Sequence, residues 1–177
     1  MTIEFVVTND IILPEVRLLT PSMSEDHRGN IWSSFISKDI DDLLPGCLRF
    51  THDKFSESKE NVLRGIHGDS KSWKLVTCVY GEIFQVVVDM RPSSSTFLKW
   101  NSYSIQANKP SSILVPPGYG NAYFAHTSKV VYHYKLAYVG QYFDVDDQFT
   151  VAWDDPRLQI PWPTTDPILS ARDRRLL

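Results

Sequence analysis

Cysteine is scarce in this chain. Cys47 and Cys78 are the two, in no metal or redox spacing, which argues against a disulfide scaffold and for a reducing compartment. Positive charge is not in excess either: formal net charge is -3 and the pI is near 5.9, so a nucleic-acid surface is not expected. Long apolar runs are missing, which excludes a membrane-spanning helix. The opening Met1-Thr2-Ile3-Glu4-Phe5-Val6-Val7 has neither a basic n-region nor a long apolar h-region, so no secretory signal is read there and a cytoplasmic location is expected. There is no repeat, no low-complexity stretch and no linker. At 177 residues the expectation is one domain, 1–177, large enough to bury a core.

What the chain does have is short, alternating segments rich in Val, Tyr, Phe and Trp, with turn signals between them. The pattern predicts strands near 30–37, 47–53, 61–67, 74–80, 82–90, 96–106, 111–116, 121–126, 129–138 and 147–153. A short helix fits 38–44, ended by Pro45-Gly46, and Arg91-Pro92 with Ser93-Ser94-Ser95 reads as a hairpin turn. Many strands without intervening helices predict an all-β sandwich or barrel, of the double-stranded jelly-roll kind. Pro161, Pro163 and Pro167 forbid a regular ladder over 155–167, which is read as extended coil leading into a last short helical turn.

Alternation assigns faces. In 129–138, Val130, Tyr132, Tyr134 and Leu136 share the side expected to face the interior, opposite Val131, His133 and Lys135. In 61–67, strict alternation sets Arg64 opposite His67. Both can face one pocket only if Gly65 breaks the pleat with a bulge or bend.

The segments Asn61-Val62-Leu63-Arg64-Gly65-Ile66-His67 and Lys74-Leu75-Val76-Thr77-Cys78-Val79-Tyr80-Gly81-Glu82 place an Arg, a His and a Lys on adjacent strands. A metal-binding cupin barrel would follow that His closely with a second His and a Glu; here Asp69 follows. The second metal-cupin motif fails as well, because Val115-Pro116-Pro117-Gly118-Tyr119-Gly120 leads to Asn121. No metal is expected. A lone imidazole beside Lys and Arg is poor metal chemistry and good proton chemistry. Singly, these residues have plainer readings: Tyr134 as core filler, Ser170-Ala171-Arg172-Asp173 as a helix capping box, and Arg28 as a solvated turn residue.

Together they carry a resemblance. Asp26-His27-Arg28-Gly29, Asn61 through His67, Lys74-Leu75-Val76, Gly81-Glu82, Val87-Val88-Asp89, Thr96-Phe97, Lys99-Trp100, Tyr134-Lys135, Trp153-Asp154-Asp155, Ile160-Pro161-Trp162-Pro163 and Ile168-Leu169-Ser170-Ala171-Arg172-Asp173 recur in order. The chain thus resembles the nucleotide-sugar 3,5-epimerases typified by dTDP-4-dehydrorhamnose 3,5-epimerase, cupins without a metal that invert the carbons beside a 4-ketone.

The resemblance implies a cupin-type jelly roll, no cofactor, and a nucleotide-diphosphate 4-keto sugar as substrate. His67 would be the base, Asp173 its orienting carboxylate, Tyr134 the acid on the opposite sugar face, and Lys74 the cation beside the ketone oxygen. Arg64 and Arg28 would contact the diphosphate, Arg28 reaching across from a partner subunit of a homodimer that exchanges N-terminal strands. His52 and Lys54 stand where the family has a nucleotide-side Gln and Asn, Asn121 where it has a His, and Gly68-Asp69 where it has aromatic-Gln. Tyr138 and Tyr142 stand for paired aromatics. These departures are similar to a branch acting on GDP-4-keto-heptoses in surface-polysaccharide pathways. A 3-epimerase, a 3,4-ketoisomerase and a non-catalytic sugar-binding cupin stay open on the same scaffold.

Overall fold

The computed structural model describes residues 4–174. Its strands are β1 (Phe5–Asn9), β2 (Arg17–Pro21), β3 (Met23–Asp26), β4 (Gly29–Trp32), β5 (His52–Lys59), β6 (Leu63–Gly68), β7 (Trp73–Tyr80), β8 (Glu82–Asp89), β9 (Trp100–Gln106), β10 (Ser112–Val115), β11 (Tyr119–Ala125), β12 (Lys129–Ala137) and β13 (Phe149–Thr150). The one α-helix among the described residues, α1 (Ser37–Ile40), runs into a 3-10 turn at Asp41–Leu43. Among the described residues no helix is long and apolar enough to cross a membrane.

Two antiparallel sheets face each other, ordered β1-β2-β10-β7-β12-β5 and β13-β6-β11-β8-β9, with β3-β4 as a separate hairpin. This is the expected jelly-roll arrangement, made by alternation. Val76 and Cys78 of β7, Val87 of β8, Ile113 of β10 and Val130 and Tyr132 of β12 project between the sheets into one core. Their neighbours point outward and are covered too. Leu75, Leu114 and Ala137 pack under α1 with Leu19, Ile40 and Leu44. Val86, Val88 and Ala122 pack under the C-terminal tail through Leu158. Strands covered on both faces lose the hydrophobic-in, polar-out signature, which is why β8 and β11 read as nearly continuous apolar runs.

The tail makes no ladder of its own, in keeping with its prolines. Side chains pin it instead: Trp100 Nε1 donates to the Leu158 carbonyl at 2.6 Å and Trp162 Nε1 to the Trp153 carbonyl at 2.7 Å. The chain then bridges to the start of β6, with Ile168 N on the Asn61 carbonyl at 2.7 Å and Leu63 N on the Ile168 carbonyl at 3.1 Å. That bridge lays Ser170–Asp173 across the mouth of the barrel.

Several sequence boundaries are corrected. The strand expected over 30–37 stops at Trp32, and the strand expected over 47–53 lies instead at 52–59. The strand expected over 96–106 begins at Trp100, because Thr96 is held in the preceding turn by the Asp89 carboxylate. The 147–153 strand shrinks to Phe149–Thr150 after a 3-10 turn. The helix expected over 38–44 is split between α1 and its 3-10 continuation. The C-terminal helix is a single turn, closed by Arg174 N on the Ser170 carbonyl. β1, β2 and β3 were not in the strand pattern at all.

Candidate active site

The cavity, of about 430 Å³, opens between the sheets at the end where the tail crosses. β6 supplies one wall through an irregularity. Between the pairs Asn121–His67 and Tyr123–Arg64, β11 advances by one residue fewer than β6. That is the extra residue of a bulge, and it falls on Gly65. Gly65 has φ near +124°, and a Cβ there would sit 2.5 Å from the Ala122 Cβ, so no side chain fits. With the pleat broken, Arg64 and His67 both line the cavity, as the bulge alternative required.

His67 is oriented by the tail. Its Nε2 lies 2.6 Å from Asp173 Oδ1, while Ser170 Oγ donates to Asp173 Oδ2 at 2.7 Å. The Ser170–Asp173 pair is thus both a capping contact, with Asp173 N on Ser170 Oγ at 3.2 Å, and the support of an imidazole. Burial would raise the Asp173 carboxyl; the bonds from His67 and Ser170 outweigh burial and hold it below its ordinary value. A carboxylate that stays ionised beside Nε2 leaves Nδ1 as the basic nitrogen.

The facing wall comes from β12, β7 and β5. Tyr134 lies on the inner side of β12, as alternation placed it, and lines the cavity. Burial, then the nearby Tyr123 phenol, raises the Tyr134 phenol above its ordinary value despite the Ser56 hydroxyl, so it is a neutral O–H donor at neutral pH. Lys74, inward on β7, is 5% exposed and sits 3.0 Å from Asp69 Oδ2. Burial pulls its ammonium below the ordinary value, and Asp69 acts in the opposite direction. Asp69 itself, fully buried, accepts from Ser72 Oγ at 2.6 Å and from the Ser72 and Lys71 amides. The residue that breaks the metal-cupin motif is therefore the counter-ion of the pocket lysine.

The remaining expected residues divide. Arg64 donates to Ser58 Oγ at 2.9 Å and to the Glu57 carbonyl at 3.0 Å while lining the cavity, as Lys54 and Asn121 also do. Lys54 is paired with Asp144. His52 is not among the residues that line the cavity; its ring contacts Tyr138 and Tyr142, which stack at 5.0 Å and of which Tyr142 is a lining residue. Arg28 is not brought to the site of its own chain; it is exposed on the β3–β4 hairpin and paired with Asp26 at 2.6 Å.

The sequence reading missed Asp144, Gln148 and Arg172, which also line the cavity. Arg172 donates to Thr150 Oγ1 at 2.6 Å and to Gln148 Oε1 at 3.1 Å. Asp144 opens a 3-10 turn that no period marks, and Gln148 falls in the strand expected over 147–153, where nothing set it apart from its neighbours. The signal for Arg172 was its place beside Asp173.

The jelly-roll barrel thus holds an imidazole on one sheet, its carboxylate on the tail, and a neutral phenol and a buried lysine on the facing sheet, a set of groups suited to acid–base chemistry in one cavity. The family model of dTDP-4-dehydrorhamnose 3,5-epimerase matches residues 10–177, and the chain belongs to that family. It is 32% identical over 165 residues to the dTDP-4-dehydrorhamnose 3,5-epimerase of Salmonella typhimurium, covering 91% of this chain and 88% of the relative. The Bacillus anthracis enzyme of the same name, solved with TDP and PPi bound, superposes with a TM-score of 0.88 at 31% identity, covering 98% of this chain and 99% of that one. A 3'-monoepimerase from Streptomyces bikiniensis, in complex with dTDP-quinovose, gives 0.83 at 26% identity, covering 94% and 84%.

Proposed function

We propose that the protein is a nucleotide-diphospho-4-keto-sugar 3,5-epimerase of cytoplasmic sugar biosynthesis. One observation carries the reading: the His67–Asp173 dyad and the Tyr134 phenol line one cavity from facing sheets, with Lys74 in the same cavity. A proton beside a ketone is only weakly acidic, so its removal needs a base and a stabilised enolate. Nδ1 of His67 takes the proton, the electrons of the broken carbon–hydrogen bond form a carbon–carbon double bond, and the carbonyl pair moves onto the ketone oxygen, giving an enolate. The charge on its oxygen meets Lys74, an effect on the order of 3 kcal/mol in a water-poor site. Tyr134 returns a proton to the opposite face, which inverts the carbon. The same groups serve the second carbon after the sugar turns. Arg64, Lys54 and His52 hold the nucleotide diphosphate, Arg64 by charge-assisted bonds to phosphate oxygens. We further propose a homodimer in which Arg28 completes the partner's diphosphate site.

The test is incubation in deuterated water with dTDP-4-keto-6-deoxyhexose and, separately, a GDP-4-keto-heptose. Deuterium at both carbons flanking the ketone is the expected result. Label at one carbon identifies a 3-epimerase, the activity named for the Streptomyces bikiniensis relative. No label with either sugar leaves a binding protein and overturns the proposal.

A further inference from the structure

Gln85 is fully buried between the sheets, on the inner face of β8. No motif singled it out, and no catalytic step uses it. An uncharged amide at the centre of an apolar core is costly unless every polar atom is bonded, and here every one is. Nε2 donates to the Val86 carbonyl at 3.0 Å and to Asn121 Oδ1 at 2.7 Å; Oε1 accepts from the Tyr132 hydroxyl at 2.7 Å.

These bonds have a direction. A backbone carbonyl can only accept, so the Val86 contact fixes which end of the Gln85 amide is nitrogen. That nitrogen faces Asn121, so the Asn121 atom toward Gln85 must be oxygen. The Tyr132 hydroxyl, 3.4 Å from the same oxygen, adds to the set on that side. Nδ2 of Asn121 is thereby turned away from the core. It bonds no protein atom among the described residues, yet every fully buried side-chain nitrogen and oxygen there has a partner. Nδ2 therefore keeps open surface, and the space that Asn121 lines is the cavity. Asn121 is also the cross-strand partner of His67, so the two side chains leave the sheet as direct neighbours.

We infer that Gln85 is a positioning residue which locks Asn121 as an obligate hydrogen-bond donor beside the base, selecting a substrate oxygen that accepts at that point. The inference rests on the proposed epimerase reading and adds to it a polarity. With Oδ1 engaged, Asn121 offers no acceptor to the ligand. The oxygen it meets belongs to the sugar beside the carbon that His67 deprotonates, and the contact assists the step by holding that carbon within reach of the base.

Solvent-deuterium exchange with the sugar that the wild-type protein labels is the readout, with thermal melting as the check on folding. Gln85→Met keeps the shape and removes the lock; it should slow exchange on the order of tenfold to a hundredfold, the scale of a misplaced contact group. In an Asn121→Ala background the same change should cost no further activity, because Gln85 acts only through Asn121. If the two losses instead add, Gln85 is merely structural and the inference fails. Should Gln85→Met not fold, Gln85→Glu, with acceptors at both ends, takes its place in the cycle. The polarity is tested without touching Gln85 at all. Asn121→Asp presents an acceptor where the donor stood and should be at least about tenfold slower than Asn121→Ala; equal or faster exchange overturns the inference. Wild-type protein that labels neither sugar would instead remove the epimerase reading, so the two failures are distinct.

Discussion

Tyr134 carries its phenol on the inner side of β12, in edge-to-face contact with Tyr132 at 4.6 Å between ring centroids. The ring is core and the hydroxyl is site, so the two readings of this residue can be separated by one atom. Tyr134→Phe keeps the ring, and stability should change by less than about 1.5 kcal/mol. Formation of inverted product should fall by about two orders of magnitude, the usual scale for a positioned acid. Exchange started by His67 should suffer less, because base and enolate stabiliser remain. His67→Asn, by contrast, should abolish label at both carbons in a protein that still melts normally. Comparing label with inverted product in the two variants checks the division of labour; wild-type inversion in Tyr134→Phe would return the residue to core filler.

At the scale of elements, legibility followed what each strand buries. β12, β7 and β8 were found because apolar or aromatic residues recur along each at regular spacing. β5 was misplaced because its sequence, His52-Asp53-Lys54-Phe55-Ser56-Glu57-Ser58-Lys59, shows almost no hydrophobic period. It is an edge strand whose inner side faces a polar cavity through Lys54 and Ser56, so water-like surroundings lie on both faces. Small or polar residues at period two were the available signal. The Gly65 bulge was legible only as a condition, since alternation can say that a break is needed without saying that it occurs.

The turn between β8 and β9 was read as a hairpin, but its holding group was not. Asp89, fully buried, accepts from Arg91 Nη2 at 2.8 Å and from Ser94 Oγ and Thr96 Oγ1 at 2.6 Å each. Burial would raise this carboxyl; the bonds from Arg91, Ser94 and Thr96 outweigh it and hold the group far below the ordinary 3.8. A depressed folded pKa contributes stability that is present above the unfolded value and lost as pH falls toward the folded one. Asp89→Asn should therefore cost on the order of 3 kcal/mol at neutral pH, the lower range for breaking a buried pair. The gap to wild type should close as pH drops below about 4, where the wild-type carboxylate begins to protonate in the unfolded chain. Denaturant melts at a series of pH values measure this, and a pH-independent gap would assign the loss to packing alone.

The whole molecule raises the question that one chain leaves open, the place of Arg28. The β3–β4 hairpin joins neither large sheet, holds Arg28 with its side chain 79% exposed, and carries Met23, Ile31 and Trp32 exposed as well. An arginine paired only with Asp26 in water gains little, whereas the same fork facing a diphosphate in a neighbouring subunit would be bidentate and charge-assisted. In an isologous dimer the exchange is mutual, so each site draws Arg28 from one chain and His67 from the other. Arg28→Ala and His67→Asn should each be inactive or nearly so as pure proteins. Unfolded together and refolded at equal amounts, half of the dimers should carry one variant of each kind. In those dimers both lesions fall on one site and the other site is intact, so about a quarter of wild-type exchange activity should return. If Arg28 served the site of its own chain, no mixed dimer would contain an intact pair of Arg28 and His67 beyond what each variant already has, and mixing would restore nothing. Light scattering on the mixture, read beside the activity, ties the recovery to dimers.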